Sequence, residues 1–211
     1  ISMESIGFDL GCGTGRWAKS VAPKVKKLIC IDPSNALDIA KNNLSSFDNC
    51  EFYSATVDKI PMEDNSMDFG YSLGVLHHVP DTALGIRQCV DKLKHGAPLL
   101  LYLYYRFDNR PIWFRLIWHA TDLLRRVISK MPYGLRYFSS QIIAFFVYFP
   151  LARMALLVEK LNIDVSNFPL SSYKNLSFYT MRTDALDRFG TRLEQRFTRD
   201  EIKQMMHNAG L

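Results

Sequence analysis

Apolar and polar positions alternate in two registers along the first hundred residues. Short apolar runs read as strands, and the stretches between them, with apolar positions three or four apart, read as helices. "SIGFDLG" is a first strand ending in glycine, and "GRWAKSVA" a short helix that stops before Pro23. "KKLICID" is a second strand. "PSNALDIAKNNL" follows as a helix, with Pro33 or Ser34 at its start, where a missing N–H or a capping hydroxyl is useful. "CEFYSAT" is a third strand. "SMDFGYSLGVL" is a fourth, nearly continuous in apolar residues, as in a strand covered on both faces. "DTALGIRQCVDKLK" is a helix with Leu84, Val90 and Leu93 as its inner face, and "GAPLLLYLYY" is a fifth buried strand. Repeated strand–helix units predict right-handed crossovers and an α/β, doubly wound, mostly parallel sheet. Ligands of such sheets sit beyond the carboxyl ends of the strands.

The pattern changes after Tyr105. "RPIWFRLIWHATDLLRRVISK" begins with Pro111, a good first helical residue, and repeats Trp113, Ile117, Ala120, Leu124 and Val127 at helical spacing. A turn at Pro132–Gly134 leads into "SSQIIAFFVYFPLARMALLVEKL", a second helix expected to kink at Pro150. Its uncharged run, Gln141 to Ala152, is 12 residues, too short to span a bilayer and suited to a buried or interfacial helix. "TDALDRFG" reads as a short helix with Thr183 as cap and Gly190 as stop, and "TRDEIKQMMHNAGL" as a late helix.

Charge divides the same way. The chain of 211 residues carries +5, but residues 106–160 hold nine Lys/Arg against three Asp/Glu, and the remainder 17 against 18. All the excess basicity lies in one block, which also holds 11 of the 27 aromatic residues. Cys12, Cys30, Cys50 and Cys89 form no C-x-x-C pair and no metal-ligand spacing, so a reduced, cytoplasmic setting is expected and no metal.

The loop after the first strand carries the chemistry. It reads Asp9-Leu10-Gly11-Cys12-Gly13-Thr14-Gly15-Arg16. Arg16 occupies the third-glycine position of the dehydrogenase fingerprint counted from Gly11, and the phosphate loop G-x-x-x-x-G-K is absent. Glycines here let backbone approach a ligand closely. An acid two residues upstream favours a positive group on that ligand and repels a pyrophosphate.

D-x-G-x-G-x-G, with Asp32 ending the second strand 17 residues past Gly15 and "LHHVPD" leaving the fourth, resembles the class I S-adenosylmethionine-dependent methyltransferase superfamily, in particular its ubiquinone/menaquinone-biosynthesis type. The resemblance covers about the first 105 residues and implies a Rossmann-like fold. It implies that Gly11, Cys12, Gly13, Gly15, Arg16 and Trp17 wrap the methionine and ribose of S-adenosylmethionine, with S-adenosylhomocysteine as product. Asp9 would receive the ammonium. Asp32, beside Pro33, would accept the ribose hydroxyls through charge-assisted bonds. Leu73 and Gly74 would complete the cradle. Relatives carry an acid in the adenine segment where this chain has Thr56, followed by Val57; Asp58 stands two residues late. His77 and His78 leave the fourth strand side by side, and only one is expected to face a pocket, His78, in a shaping rather than a catalytic role. No catalytic residue is assigned.

The expected organisation is a cofactor-binding core at 1–105, a helical insertion at 106–180 and a return to the core at 181–211. The chain would start within its first strand and lack the family's last two strands. The insertion is read first as a lid over an acceptor pocket for a small apolar or aromatic molecule, with Tyr104, Tyr105, Trp113 and Tyr179 as wall residues. A membrane surface serving a quinone or lipid substrate is the second reading, and a homodimer interface the third. Nucleic acid is disfavoured, because the basic residues are spread through apolar helices. A non-catalytic scaffold is the reading furthest from an enzyme.

Overall fold

The computed structural model describes residues 1–211, which divide into two compact units: residues 1–106 with 195–211, and residues 107–194. The helical unit therefore runs to Glu194, past the expected limit of 180.

In the first unit, β1 (Ile6–Leu10), β2 (Lys27–Ile31), β3 (Cys50–Tyr53), β4 (Phe69–Leu73) and β5 (Leu99–Tyr102) form one parallel sheet in the order β3-β2-β1-β4-β5. The order reverses at β1, so the ends of β1 and β4 frame the crevice where such sheets hold ligands. Strand periodicity sends alternate side chains to opposite faces. Phe8 and Leu10 enter one core with Ile29, Ile31, Ile86 and Cys89, under α3 (Thr82–Lys92) and α8 (Arg199–Asn208). Leu28, Cys30, Phe69 and Tyr71 enter the other, under α1 (Ala18–Val21) and α2 (Ala36–Asn43). Asp9 points to this second face, with Cys30 and Tyr71 as its register partners.

Two expectations are corrected here. Val90 of α3 and Leu93 just after it meet the core as expected, but Leu84 is 49% exposed and Gly85, Ile86 and Cys89 take the inner face. An N-cap at Asp81, whose carboxylate accepts the Leu84 N–H, sets that rotation. Nor is β5 buried: it is an edge strand with Leu100 and Tyr102 exposed. Beyond its end, Tyr105 pairs with Phe197 in one further parallel bridge, which brings residues 195–197 alongside.

The second unit consists of α4 (Ile112–Ile128), α5 (Tyr133–Ile143), a π-helical turn at Ala144–Tyr148, α6 (Phe149–Lys160) and α7 (Phe178–Gly190). The π turn joins α5 and α6 into one helix from Tyr133 to Lys160. No break occurs at Pro150: the Phe149 N–H reaches back to the Ala144 carbonyl, and the wider turn makes room for the ring. This corrects the sequence argument on length. The rod is long and apolar enough to cross a membrane by length and composition, because Arg153 alone interrupts its uncharged residues between Arg136 and Glu159. Its small residues Ala144 and Ala152 are buried in a core with Met181, Ala185 and Phe189 of α7, and Ala155 is buried further along the same helix. The cap of α7 is Ser177, whose hydroxyl accepts the Thr180 N–H, so that helix starts before Thr183.

Candidate cofactor site

The loop after β1 is built on left-handed backbone. Gly11, Gly13 and Gly15 have φ of +79°, +53° and +81°. A Cβ on Gly11 would stand 2.2 Å from Val75 Cγ2, so only glycine lets the loop pass the exit of β4. A Cβ on Gly13 would meet nothing within 4 Å: that position faces open space. The Gly11 N–H donates to the Ile31 carbonyl at 2.7 Å, and Asn43 Nδ2 donates to the Thr14 carbonyl at 2.9 Å. Cys12 is buried with its Sγ 3.8 Å from the Gly13 carbonyl, a spacer in the turn. Arg16 and Trp17 are exposed, the guanidinium 5.2 Å from the centre of the indole ring.

Two buried carboxylates flank the loop and differ in how they are held. Asp32 Oδ2 accepts the Gly13 N–H at 2.8 Å, and Oδ1 accepts the Ser34 N–H at 2.9 Å and hydroxyl at 2.5 Å. Asp9 is 2% exposed, and its Oδ2 has no partner. Burial pushes its pKa up to about 7. The Tyr71 hydroxyl beside it works the other way, although neither group completes a hydrogen bond to the other; the charge of Asp32 adds a smaller rise. An orphaned buried acid of this kind is the natural partner of a cation.

The other expected cofactor residues lie on the same carboxyl edge. Pro33 is exposed just after Asp32. Thr56 is exposed and precedes the 3₁₀ turn Val57–Lys59 after β3, with no side-chain bond to the turn's backbone. Val57 is half-buried and packs against the core near Gly85 of α3. Asp58 is exposed beside Thr56, and a hydrogen bond from the Thr56 hydroxyl, the largest of its influences, holds its carboxyl below the usual range. Leu73 is half-buried, and Gly74 has φ of +84°, its N–H donating to the Tyr102 carbonyl at 3.1 Å.

An aromatic cluster occupies the ends of β4 and β5. The His77 ring is fully buried and stacks on Tyr104, 3.7 Å between centroids, with the His78 ring 4.1 Å from His77. Burial, with smaller effects from His78 and Arg196, lowers the His77 pKa to about 3. This imidazole stays neutral through the physiological range and is a poor general base. His78, Tyr104 and Tyr105 are half-buried here, whereas Trp113 and Tyr179 belong to the second unit, both exposed. Sequence reasoning missed Gln195 and Arg196. The Gln195 N–H donates to the His77 carbonyl at 2.9 Å, and its Nε2 to the Val79 carbonyl at 2.6 Å. The Arg196 guanidinium lies 4.8 Å from the centre of the Tyr104 ring. Only chain return, not spacing, reveals these two.

Comparison with known proteins agrees with this geometry. Residues 8–101 match a family described as a methyltransferase domain. A mouse (Mus musculus) protein described as probable tRNA methyltransferase 9B is 30% identical over 103 residues, 47% of this chain and 22% of that protein. A solved candidate methyltransferase of Bacillus halodurans C-125 superposes with a TM-score of 0.52 at 21% identity, over 59% of this chain and 55% of that one. The YcgJ protein of Bacillus subtilis superposes with a TM-score of 0.51 at 18% identity, over 97% and 76%. The chain thus spans about a fifth of the mouse relative and about half of the first solved structure.

Proposed function

We infer, from the match of residues 8–101 to a methyltransferase-domain family and from the glycine loop with its two carboxylates, that this chain is a class I S-adenosylmethionine-dependent methyltransferase, binds S-adenosylmethionine and methylates a small aromatic or apolar acceptor. The observation that carries this reading is the pair of buried carboxylates around the left-handed glycine loop: Asp32, already paired with the loop, and Asp9, lacking a partner for Oδ2.

The residues present fit the cofactor. Asp9 offers a buried carboxyl whose ionised form an ammonium would stabilise, and Asp32 retains lone pairs for hydroxyl donors. The open space over Gly13 admits a ligand against backbone. The bound cofactor supplies a methyl group already activated on a sulfonium, so the chain's task is to orient the acceptor and exclude water. Orientation of this kind is worth roughly 7–11 kcal/mol. Tyr104, half-buried and backed by the fully buried His77 ring, offers a rigid aromatic surface at the ends of β4 and β5, which supports a flat or apolar acceptor. His77, held neutral, contributes shape rather than proton transfer.

The experiment is methyl transfer from labelled cofactor into a fractionated cell extract, paired with calorimetric titration of S-adenosylhomocysteine and of NAD. Label in an extractable small molecule, with binding of S-adenosylhomocysteine and none of NAD, is expected. Label confined to tRNA or protein would overturn the acceptor class. Tight NAD binding without a response to S-adenosylhomocysteine would overturn the whole reading.

A further inference from the structure

The second unit, residues 107–194, is inside out. In α4 the buried side chains include Asp122 and Arg125, joined at 2.7 Å, while Ile112, Leu116, Leu123 and Val127 stand in solvent, each more than half exposed. The helix from Tyr133 to Lys160 does the same. Ser140, Ala144, Ala152 and Ala155 face inward, and Phe138, Phe145 and Phe146 are exposed, Phe146 to 69%. Of the chain's 32 exposed large hydrophobic residues, 23 belong to this unit. The two apolar faces are continuous: Phe114, Ile117 and Leu124 of α4, with Ile143 and Val147 of α5 and the π turn and Leu151 of α6, line one cleft of about 180 Å³. A surface of this extent demands a covering partner.

We propose that this face docks in the plane of an anionic lipid bilayer, with α4 and the Tyr133–Lys160 helix lying at the boundary between headgroups and acyl chains. Three observations select this occupant. The first is charge. Lys130 and Arg192 border the exposed end of α4, lining one depression with Arg126, which is paired to Asp122, and with Glu194 as the lone acid, and residues 106–160 carry a net +6. Cations beside an apolar helix face complement anionic headgroups, each worth a further gain at the surface. The second is extent: the 28-residue helix runs about 42 Å and carries exposed apolar side chains from Tyr133 to Leu157, a long surface for a bilayer boundary to cover. The third fixes the orientation. The helix is long enough to span, but α7 packs along it, with Arg182 bonded to both Gln141 and Tyr137 and with Asp184 and Asp187 in the same helix. Spanning would drag these charges into hydrocarbon, whereas lying flat keeps α7 in water. This inference rests on the second unit alone and not on the methyl-transfer reading.

The test is flotation of the full chain through a density gradient with vesicles of phosphatidylcholine and phosphatidylglycerol (7:3) or phosphatidylcholine alone. The chain is expected in the lipid fraction with the mixed vesicles, at least about fivefold more than with the neutral ones. Leu116→Glu/Leu123→Glu should stay at the bottom with an unchanged circular dichroism spectrum, since both side chains are exposed and neither touches the core. Lys130→Glu/Arg192→Glu, at two exposed positions outside the Asp122 pair, should lose the preference for phosphatidylglycerol. A chain that floats with neither vesicle overturns docking. Equal flotation with both overturns the anionic surface. A dimer in sedimentation that Leu116→Glu/Leu123→Glu dissociates, without flotation of the wild type, assigns the face to a second copy and overturns the proposal. Titration with S-adenosylhomocysteine reports on the cofactor site separately.

Discussion

The Asp32 carboxylate accepts the Gly13 N–H at 2.8 Å, so the end of β2 holds the loop that follows β1. One side chain thus fixes loop geometry and faces the region where ribose hydroxyls would sit. Asp32→Ala removes an acceptor that serves three donors: Gly13 N–H, Ser34 N–H and the Ser34 hydroxyl. Loss of charge-assisted bonds of about 1.5–3 kcal/mol each predicts at least a tenfold weaker S-adenosylhomocysteine affinity. Calorimetric titration measures it, and an unchanged dissociation constant would separate Asp32 from the ligand.

Gly11→Ala and Gly13→Ala should behave differently although both carry positive φ. At Gly11 the new methyl meets Val75 at 2.2 Å, so the fold itself must shift and the melting temperature should drop sharply. At Gly13 the methyl enters open space, and the cost is the left-handed backbone alone, about 1–2 kcal/mol. That methyl stands where the ligand would approach, so Gly13→Ala should lose affinity out of proportion to its stability loss. Thermal unfolding and titration on both variants decide the point; equal losses of stability and affinity at the two positions would contradict it.

Asp9 predicts a pH dependence with a definite sign. In the unfolded chain its carboxyl ionises near 3.8, and in the fold it keeps its proton to about 7. Between those values the folded state binds more protons, so Asp9 contributes a loss of stability as pH rises through this window, complete above about pH 7. His77 acts oppositely. Its folded pKa, about 3, lies below the ordinary 6.5, so its contribution is lost as pH falls from 6.5 toward 3. The two overlap, and the difference between wild type and Asp9→Asn isolates the acid. Asp9→Asn should raise the melting temperature at pH 8 relative to pH 5 and weaken ammonium-bearing ligands. Parallel stability curves for the two proteins from pH 4.5 to 8 would remove Asp9 from this role.

The sheet and the glycine loop were legible because they follow from local rules: alternation in Phe8-Asp9-Leu10, glycines where backbone is left-handed, an acid at a strand end. The face of α3 was misread at Leu84 because the rotation of a helix depends on its cap, here Asp81, as well as on the spacing of its apolar residues. β5 looked buried because an apolar run does not reveal how many neighbours a strand has. Gln195 and Arg196 were invisible for a different reason. They reach His77 and Tyr104 across more than ninety residues, and no periodicity encodes such a return. In the second unit, helical spacing identified α4 correctly but could not say which side faces inward. Burial of Asp122 with Arg125 reverses the usual assignment.

That reversal makes Asp122 the anchor of the helical unit. Its Oδ1 accepts Arg125 Nε at 2.7 Å and its Oδ2 accepts Arg126 Nε at 2.9 Å, while buried Arg125 also donates to the Thr191 carbonyl at 2.9 Å. The pair thereby ties α4 to the segment that leaves α7. Burial pushes the Asp122 carboxyl upward, but the hydrogen bond and charge of Arg125, with help from Arg126, outweigh it and hold the carboxyl below its ordinary value. Its contribution to stability is therefore present above the unfolded value near 3.8 and lost as pH falls through the folded one. Asp122→Ala leaves the Arg125 guanidinium buried without a counter-charge, a loss of about 3–5 kcal/mol when one partner of such a pair is removed. The damage should stay within residues 107–194, where every partner of the pair lies. Hydrogen exchange should accelerate across Ile112–Ile128 and Phe178–Gly190 while β1 and β2 keep their protection, and S-adenosylhomocysteine should still bind the first unit. Asp122→Ala/Arg125→Met removes both charges and should recover much of the lost stability. If the double variant is no more stable than Asp122→Ala, the loss arises from packing and not from the stranded cation.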